Sequence, residues 1–152
     1  MLSKDFKEFA ELLHSNGVEY LIVGGYALAA YGHPRYTGDL DFWIGCDAGN
    51  AARVLTALGQ FGFGSLGVTQ ADLTTPERVI QLGYPPRRID LLTSIDGVEF
   101  GACYARKVDV EMDGMRLHFI ALEDFKRNKR AVGRHQDLAD LESLGDSGTQ
   151  GE

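Results

Sequence analysis

The stretch Leu21–Ile44, LIVGGYALAAYGHPRYTGDLDFWI, constrains this chain more than any other. Its opening run, Leu21-Ile-Val23, is short, apolar and closed by Gly24-Gly25, which predicts a buried strand running into a tight turn. Glycine there lets backbone approach a ligand closely. Tyr26–Tyr31 then predicts one or two helical turns, and a helix N-terminus after a glycine turn favours phosphate. The second apolar run begins Asp39-Leu-Asp41. Strand alternation puts Leu40, Phe42 and Ile44 on one face and Asp39, Asp41 and Trp43 on the other. Two carboxylates side by side at a strand start repel each other, and a divalent cation relieves the repulsion. Mg²⁺ is commonly held by one or two carboxylates together with substrate phosphates. The plainer reading is a surface turn before two solvated aspartates.

With 152 residues, the chain is expected to form one domain over 1–144, followed by a polar, glycine-rich, disordered tail at 145–152. The two cysteines, Cys46 and Cys103, have no metal-ligand spacing, which makes a reducing cytoplasm the default. No stretch has the length and apolarity of a signal peptide or a membrane span, so no membrane partner is expected. The net charge of -7 argues against a general nucleic-acid binder, while leaving room for RNA held by a local basic patch.

Apolar residues at three- and four-residue spacing (Phe6, Phe9, Ala10, Leu13) predict a helix over 3–16, with Ser3 as its cap and Asn16-Gly17 as its stop. His14 is read as a surface or helix-end histidine without a catalytic role. Gly32–Gly38 is a loop in which Arg35 and Thr37 precede the aspartates. Arg35 suits either a phosphate or a nearby acid. A helix is expected over 47–61, then a glycine-rich loop with one helical turn near 69–73. Strands are expected over 78–83 and 88–95. Asp90 interrupts an apolar strand, so it needs a partner: either Arg88 or Arg87, or a shared role with the aspartate pair. A short helix over 98–106 follows. Asp113-Gly114 between two alternating runs signals a hairpin, which makes Asp109, Glu111 and Asp113 an exposed polar face rather than a metal cluster.

A helix is expected over 121–132, with Glu123 and Asp124 in its first turn. It carries Lys126-Arg-Asn-Lys-Arg130, and Arg134-His135 follow. Residues 126, 130 and 134 share a side if the helix continues through Gly133. The cluster is either a solvated basic face or part of a site.

Taken together, the apolar strand, Gly24-Gly25, the short helix and Asp39-x-Asp41 resemble the signature of the nucleotidyltransferase superfamily with the polymerase-β-like fold. The spacing of thirteen residues between Gly25 and Asp39 is long for that family. The run Arg35-Tyr-Thr37-Gly-Asp39-Leu-Asp41 also matches a recurrent pattern of the family. Leu122-Glu-Asp-Phe-Lys126 through Asp140-Leu141 is similar to the C-terminal helices of small, stand-alone bacterial proteins of the minimal, AbiEii-like branch.

The resemblance implies an α/β (α+β) fold: a small mixed, mostly antiparallel sheet with helices packed on one side. It implies transfer of a nucleoside monophosphate from an NTP, ATP first among them, to a hydroxyl of RNA, protein or a small molecule. Asp39, Asp41 and Asp90 would be the catalytic and metal-binding carboxylates for Mg²⁺ or Mn²⁺. Gly24, Gly25, Arg35, Thr37 and Lys129, with Lys126 as second choice, would hold the triphosphate. A toxin–antitoxin role with a cognate partner protein fits the size and branch. A nucleotide-binding or partner-binding module without turnover is the alternative.

Overall fold

A computed structural model of the chain describes residues 2–32, 38–84 and 87–145. The first helix, α1 (Lys4–Ser15), is capped by Ser3, whose hydroxyl accepts from the Phe6 N–H at 3.2 Å. It is followed by β1 (Tyr20–Val23), α2 (Gly24–Ala30), β2 (Leu40–Ile44) and α3 (Ala48–Gln60). A single 3₁₀ turn at Gly64–Leu66 leads to α4 (Gln70–Thr74), closed by a reciprocal cap between Thr69 and Asp72. Next come β3 (Val79–Leu82), β4 (Ile89–Leu92), α5 (Phe100–Ala105), β5 (Val108–Met112), β6 (Met115–Phe119), α6 (Leu122–Val132) and α7 (His135–Ser143).

The strands form one sheet in the order β3-β4-β2-β1-β6-β5. β1–β2, β3–β4 and β5–β6 pair antiparallel, whereas β1–β6 and β2–β4 pair parallel. The mixed, mostly antiparallel sheet expected of the sequence is therefore present. The β5–β6 turn has Asp113 at φ +53° and Gly114 at φ +81°, the pair of positive angles that a two-residue hairpin requires.

β1 and β2 lie at the centre, and their apolar residues are buried on both faces. Phe42 and Trp43 are successive residues of β2 and so point to opposite sides. Phe9 of α1 meets Phe42 edge-on at 5.6 Å, and Phe100 of α5 meets Trp43 at 5.2 Å. Helices thus cover both faces, which corrects the expectation of a one-sided sheet. Trp43 also corrects the alternation rule: it shares a side with Asp39 and Asp41 yet is 1% exposed.

Two buried polar side chains lock helices to this frame. Asn50, in the first turn of α3, accepts from the Glu19 N–H at 2.8 Å and donates to the Glu19 and Gly45 carbonyls at 3.0 and 2.8 Å. It satisfies backbone groups at the outer ends of both central strands. Asp124, in the first turn of α6, is fully buried and accepts from Arg106 at 2.9 and 3.0 Å and from Arg127 at 2.6 Å. This ties α6 to the end of α5.

The end of α6 at Val132 agrees with the expected helix and decides whether the basic cluster shares one face. α6 stops at Gly133, which adopts a left-handed φ of +70°, and Arg134 begins a new helix as the cap of α7. Positions 126, 130 and 134 therefore do not share one helical face. The expected tail falls largely outside the described residues.

Asn50→Ala should take the Asn50 partner from the Glu19 N–H and the Gly45 carbonyl, whereas the Glu19 carbonyl keeps the Gly45 N–H at 3.2 Å. We expect a loss of about 2–4 kcal/mol in urea unfolding; a loss below about 0.5 kcal/mol would show that water replaces the side chain without cost.

Candidate active site

The site is built from two parallel neighbours. β2 and β4 pair in a register that sets Asp41 directly beside Asp90. Two residues along the chain from Asp41 on the same side is Asp39, and two residues from Asp90 is Arg88. The Leu40 N–H donates to the Arg88 carbonyl at 3.0 Å, which carries the pairing on to these flanking residues. Strand periodicity and the β2–β4 register together therefore collect three carboxylates and one guanidinium at the start of these two inner strands. Ile89 and Leu91 are buried on the opposite face and hold β4 in this phase.

Arg88 binds the carboxylates together. Its Nε donates to Asp90 at 2.8 Å, and its Nη2 donates to Asp90 at 3.2 Å and to Asp39 at 2.9 Å. Both readings of Asp90 made from the sequence meet here: it pairs with Arg88, and it stands beside Asp41. Burial pushes the Asp41 carboxyl up to about 7, helped by the negative charge of Asp90, a hydrogen bond shared with Asp90 and the charge of Asp39; Arg88 opposes the shift. Asp41 is thus the group on which the crowding of negative charge falls.

The glycine pair meets the same carboxylate. Val23 lies opposite Asp41 across β1–β2, and Gly24 follows with φ +71°. A Cβ at Gly24 would collide with the Asp41 carboxylate. The sequence assigned this glycine to a ligand's approach; its first neighbour is the aspartate of the motif's second half. Gly24 and Gly25 are the first residues of α2 rather than a turn ahead of it, and Val23 supplies no side-chain cap.

A cleft of about 350 Å³ opens beside these residues, lined by Gly24, Asp41, Leu92, Ser94 and, from α6 and α7, Lys129 and Arg134 among others. Lys129 therefore borders the cleft, as expected, but its ammonium is engaged. It donates to Asp140 at 2.9 Å and Asp137 at 3.3 Å and is 8% exposed. Asp137 also accepts from Arg134 at 2.7 Å. Burial pushes the Asp137 carboxyl up, and Arg134 and Lys129 more than offset this, leaving it below its ordinary value. Lys126 is not among the cleft residues and lies 3.7 Å from Glu123. Arg35 and Thr37 lie outside the described residues. A larger groove of about 650 Å³, between α1 and the end of α3, contains none of the strand carboxylates.

The hairpin acids are used structurally. Asp109 pairs with His118 at 2.7 Å, and Asp113 accepts from the Leu2 N–H at 2.6 Å. His14 is hydrogen-bonded to the Tyr20 hydroxyl at 2.6 Å, at the end of β1 remote from Val23.

Among the described residues, no three His, Cys, Asp or Glu side chains form a ready-made metal cage. The carboxylate cluster nevertheless fits a divalent cation by its chemistry: hard oxygen donors on adjacent strands, too close to be ionised together without a compensating charge. Arg88 now supplies that charge. It is the residue that sequence reasoning undervalued, being read only as a partner for Asp90. The i, i+2 spacing from Asp90 was the available signal.

Two outcomes follow from the geometry. Gly24→Ala combines a left-handed φ with a collision at Asp41, so it should lower stability by about 1–3 kcal/mol in denaturant unfolding; an unchanged midpoint would mean that Asp41 moves aside freely. The folded protein also holds the Asp41 proton more tightly than the unfolded chain does. Without metal, its contribution to stability is therefore present at acid pH and is lost as pH rises from the ordinary 3.8 through about 7. In chelator, wild type should lose stability across that window, and Asp41→Asn should flatten the loss and be the more stable protein above it. Parallel curves for the two proteins would contradict the shift.

No curated protein matches the chain. Among solved structures, a nucleotidyltransferase candidate from Thermotoga maritima superposes with a TM-score of 0.60 at 17% identity, over 91% of this chain and 88% of that one. At that identity the likeness establishes the shared fold. No helix among the described residues is long and apolar enough to cross a membrane. Residues 2–150 match the family described as "Nucleotidyl transferase of unknown function (DUF2204)", and the chain belongs to that family.

Proposed function

We propose that the protein transfers a nucleoside monophosphate from an NTP to a hydroxyl acceptor, with release of pyrophosphate, in a divalent-metal-dependent reaction. The observation that carries this reading is the register of β2 and β4, which sets Asp90 beside Asp41, with Asp39 two residues along, where Asp41 and Gly24 line the cleft. Asp39, Asp41 and Asp90 would hold Mg²⁺ or Mn²⁺. When bound, such a cation neutralises charge on the transferring phosphoryl group and its leaving pyrophosphate.

The chain's own residues have separable tasks. The acceptor oxygen forms a bond to the α-phosphorus as the bond from that phosphorus to the bridging oxygen breaks, and pyrophosphate leaves. The hydroxyl proton passes to a carboxylate, and Asp90 is our assignment. Backbone N–H groups at Gly24 and Gly25 face the triphosphate, aided by the uncapped start of α2. Arg35 and Thr37, just before the aspartates in sequence, are assigned to the phosphates. Lys129 has a weaker case, because Asp137 and Asp140 already compensate its charge.

ATP is the first nucleotide to test, and the acceptor is a hydroxyl of RNA, protein or a small molecule. The short distance between basic residues and acids around α6 and α7 weighs against a wide RNA-binding face: Arg127, Lys129 and Arg134 are all paired. A toxin–antitoxin component with a cognate partner protein would fit an enzyme of this size.

The test needs no acceptor. With Mg²⁺ present, ATP should raise the melting temperature of wild type and not of an Asp39→Asn/Asp41→Asn protein. The absence of a shift with all four NTPs would refute the reading. Once an acceptor is found, Asp90→Asn should slow pyrophosphate release by about 10²–10⁴-fold. Nucleotide binding without any release, across RNA, protein and small-molecule acceptors, would identify a binding module instead.

A further inference from the structure

We infer that Arg88 is the resident counter-cation of the carboxylate cluster and competes with the divalent metal for the same oxygens; the inference rests on the metal-dependent reading above. Arg88 is not a surface arginine that happens to lie near an acid. Its guanidinium spans two strands, with one edge on both oxygens of Asp90 and a second contact on Asp39. Its side chain is only 25% exposed, against 10% for Asp90 and 35% for Asp39. This fork places positive charge where the cluster has an excess of negative charge, using the two-pronged geometry in which arginine exceeds lysine.

The oxygens that Arg88 occupies are those a cation would need. Asp39 and Asp90 are two of the three candidate ligands, and Arg88 enters the cluster from the flanking position that β-strand periodicity dictates. A cation and this guanidinium cannot both draw on the full set of lone pairs. Metal entry therefore requires Arg88 to release at least part of Asp39 and Asp90. The consequence is an affinity for free cation lower than that of three unpartnered carboxylates, set by one side chain that makes no bond to the metal. Arg88 is a positioning residue in this sense: it acts through the ligands.

The alternative is a merely structural role, in which Arg88 holds Asp39 and Asp90 in place for the metal. The two roles predict opposite signs. Under competition, removing the guanidinium tightens metal binding; under support, it loosens metal binding.

The experiment is a Mn²⁺ titration of the full chain without nucleotide, after removal of chelator, following free Mn²⁺ by electron paramagnetic resonance. Wild type is compared with Arg88→Met, Arg88→Gln, Arg87→Gln and Asp41→Asn, each checked for native circular dichroism. Arg88→Met and Arg88→Gln should bind Mn²⁺ about tenfold more tightly than wild type, within the usual range for two ligands coupled through one site. Arg87→Gln removes the same charge from the adjacent exposed residue and should change the affinity by less than about twofold, because a solvated charge is screened. If one Arg88 variant does not fold, the other decides. Unchanged or weaker binding in the Arg88 variants, with wild-type binding abolished by Asp41→Asn, overturns the competition while leaving the metal site in place. Equal tightening by Arg87→Gln also overturns it, as a general charge effect. Absence of Mn²⁺ binding in wild type and every variant removes the metal-dependent reading itself, and this inference with it.

Discussion

Two carboxylates in register on adjacent parallel strands cannot both be ionised at close range without a compensating positive charge. In this protein the arrangement is forced by pairing: β2 and β4 align Asp41 with Asp90, and Asp39 follows by the two-residue period. The local structure around the cluster answers that one electrostatic demand. Arg88 bridges Asp39 and Asp90, Asp41 retains its proton to unusually high pH, and Gly24 gives up its side chain so that the Asp41 carboxylate has somewhere to lie. An apolar strand pair of the same shape would need none of these. Acids kept together where they are mutually unfavourable are what the proposed reading of this strand pair as an active site rests on.

The second layer of the site depends on charge in another way. α6 and α7 form the far wall of the cleft, and both are held by buried ion pairs rather than by an apolar stripe alone. Asp124 anchors the start of α6 through two arginines, while Asp137 and Asp140 of α7 take hold of Lys129 near its end. Paired buried charges are directional, so they fix the angle between elements more narrowly than hydrophobic contact does, at little net gain in stability. The break at Gly133 is what allows α7 to fold back and supply those acids.

Most of the frame was legible in the sequence because it follows from short-range rules. The cap at Ser3, the helix beginning after Asp47 and the Asp113-Gly114 turn all appear where residue chemistry demands them. The central carboxylates were legible for the same reason, and the family resemblance gave them an order. What escaped the reading depends on contacts distant in sequence. Trp43 looked like a residue of the polar face because nothing local reveals that α5 covers it. Asn50 is an unremarkable helix residue until Glu19 and Gly45 arrive beside it. The surroundings of Lys129 escaped the reading too, since its position follows from the helix but its charge partners come from a separate helix beyond a glycine break. Arg88 shows the boundary most clearly: its spacing from Asp90 is visible in the sequence, whereas its bond to Asp39 exists only through the strand pairing.

The ion pairs around the cleft also shape what surrounds the molecule. Much of the positive charge described here is spent internally: Arg88, Arg106, Arg127, Lys129 and Arg134 each have carboxylate partners within the fold. A chain with a net charge of -7 therefore presents a field that repels anions on average. Diffusional capture of a polyanion by this protein would be hindered rather than steered, and added salt, which slows most electrostatically guided encounters, would here speed the approach.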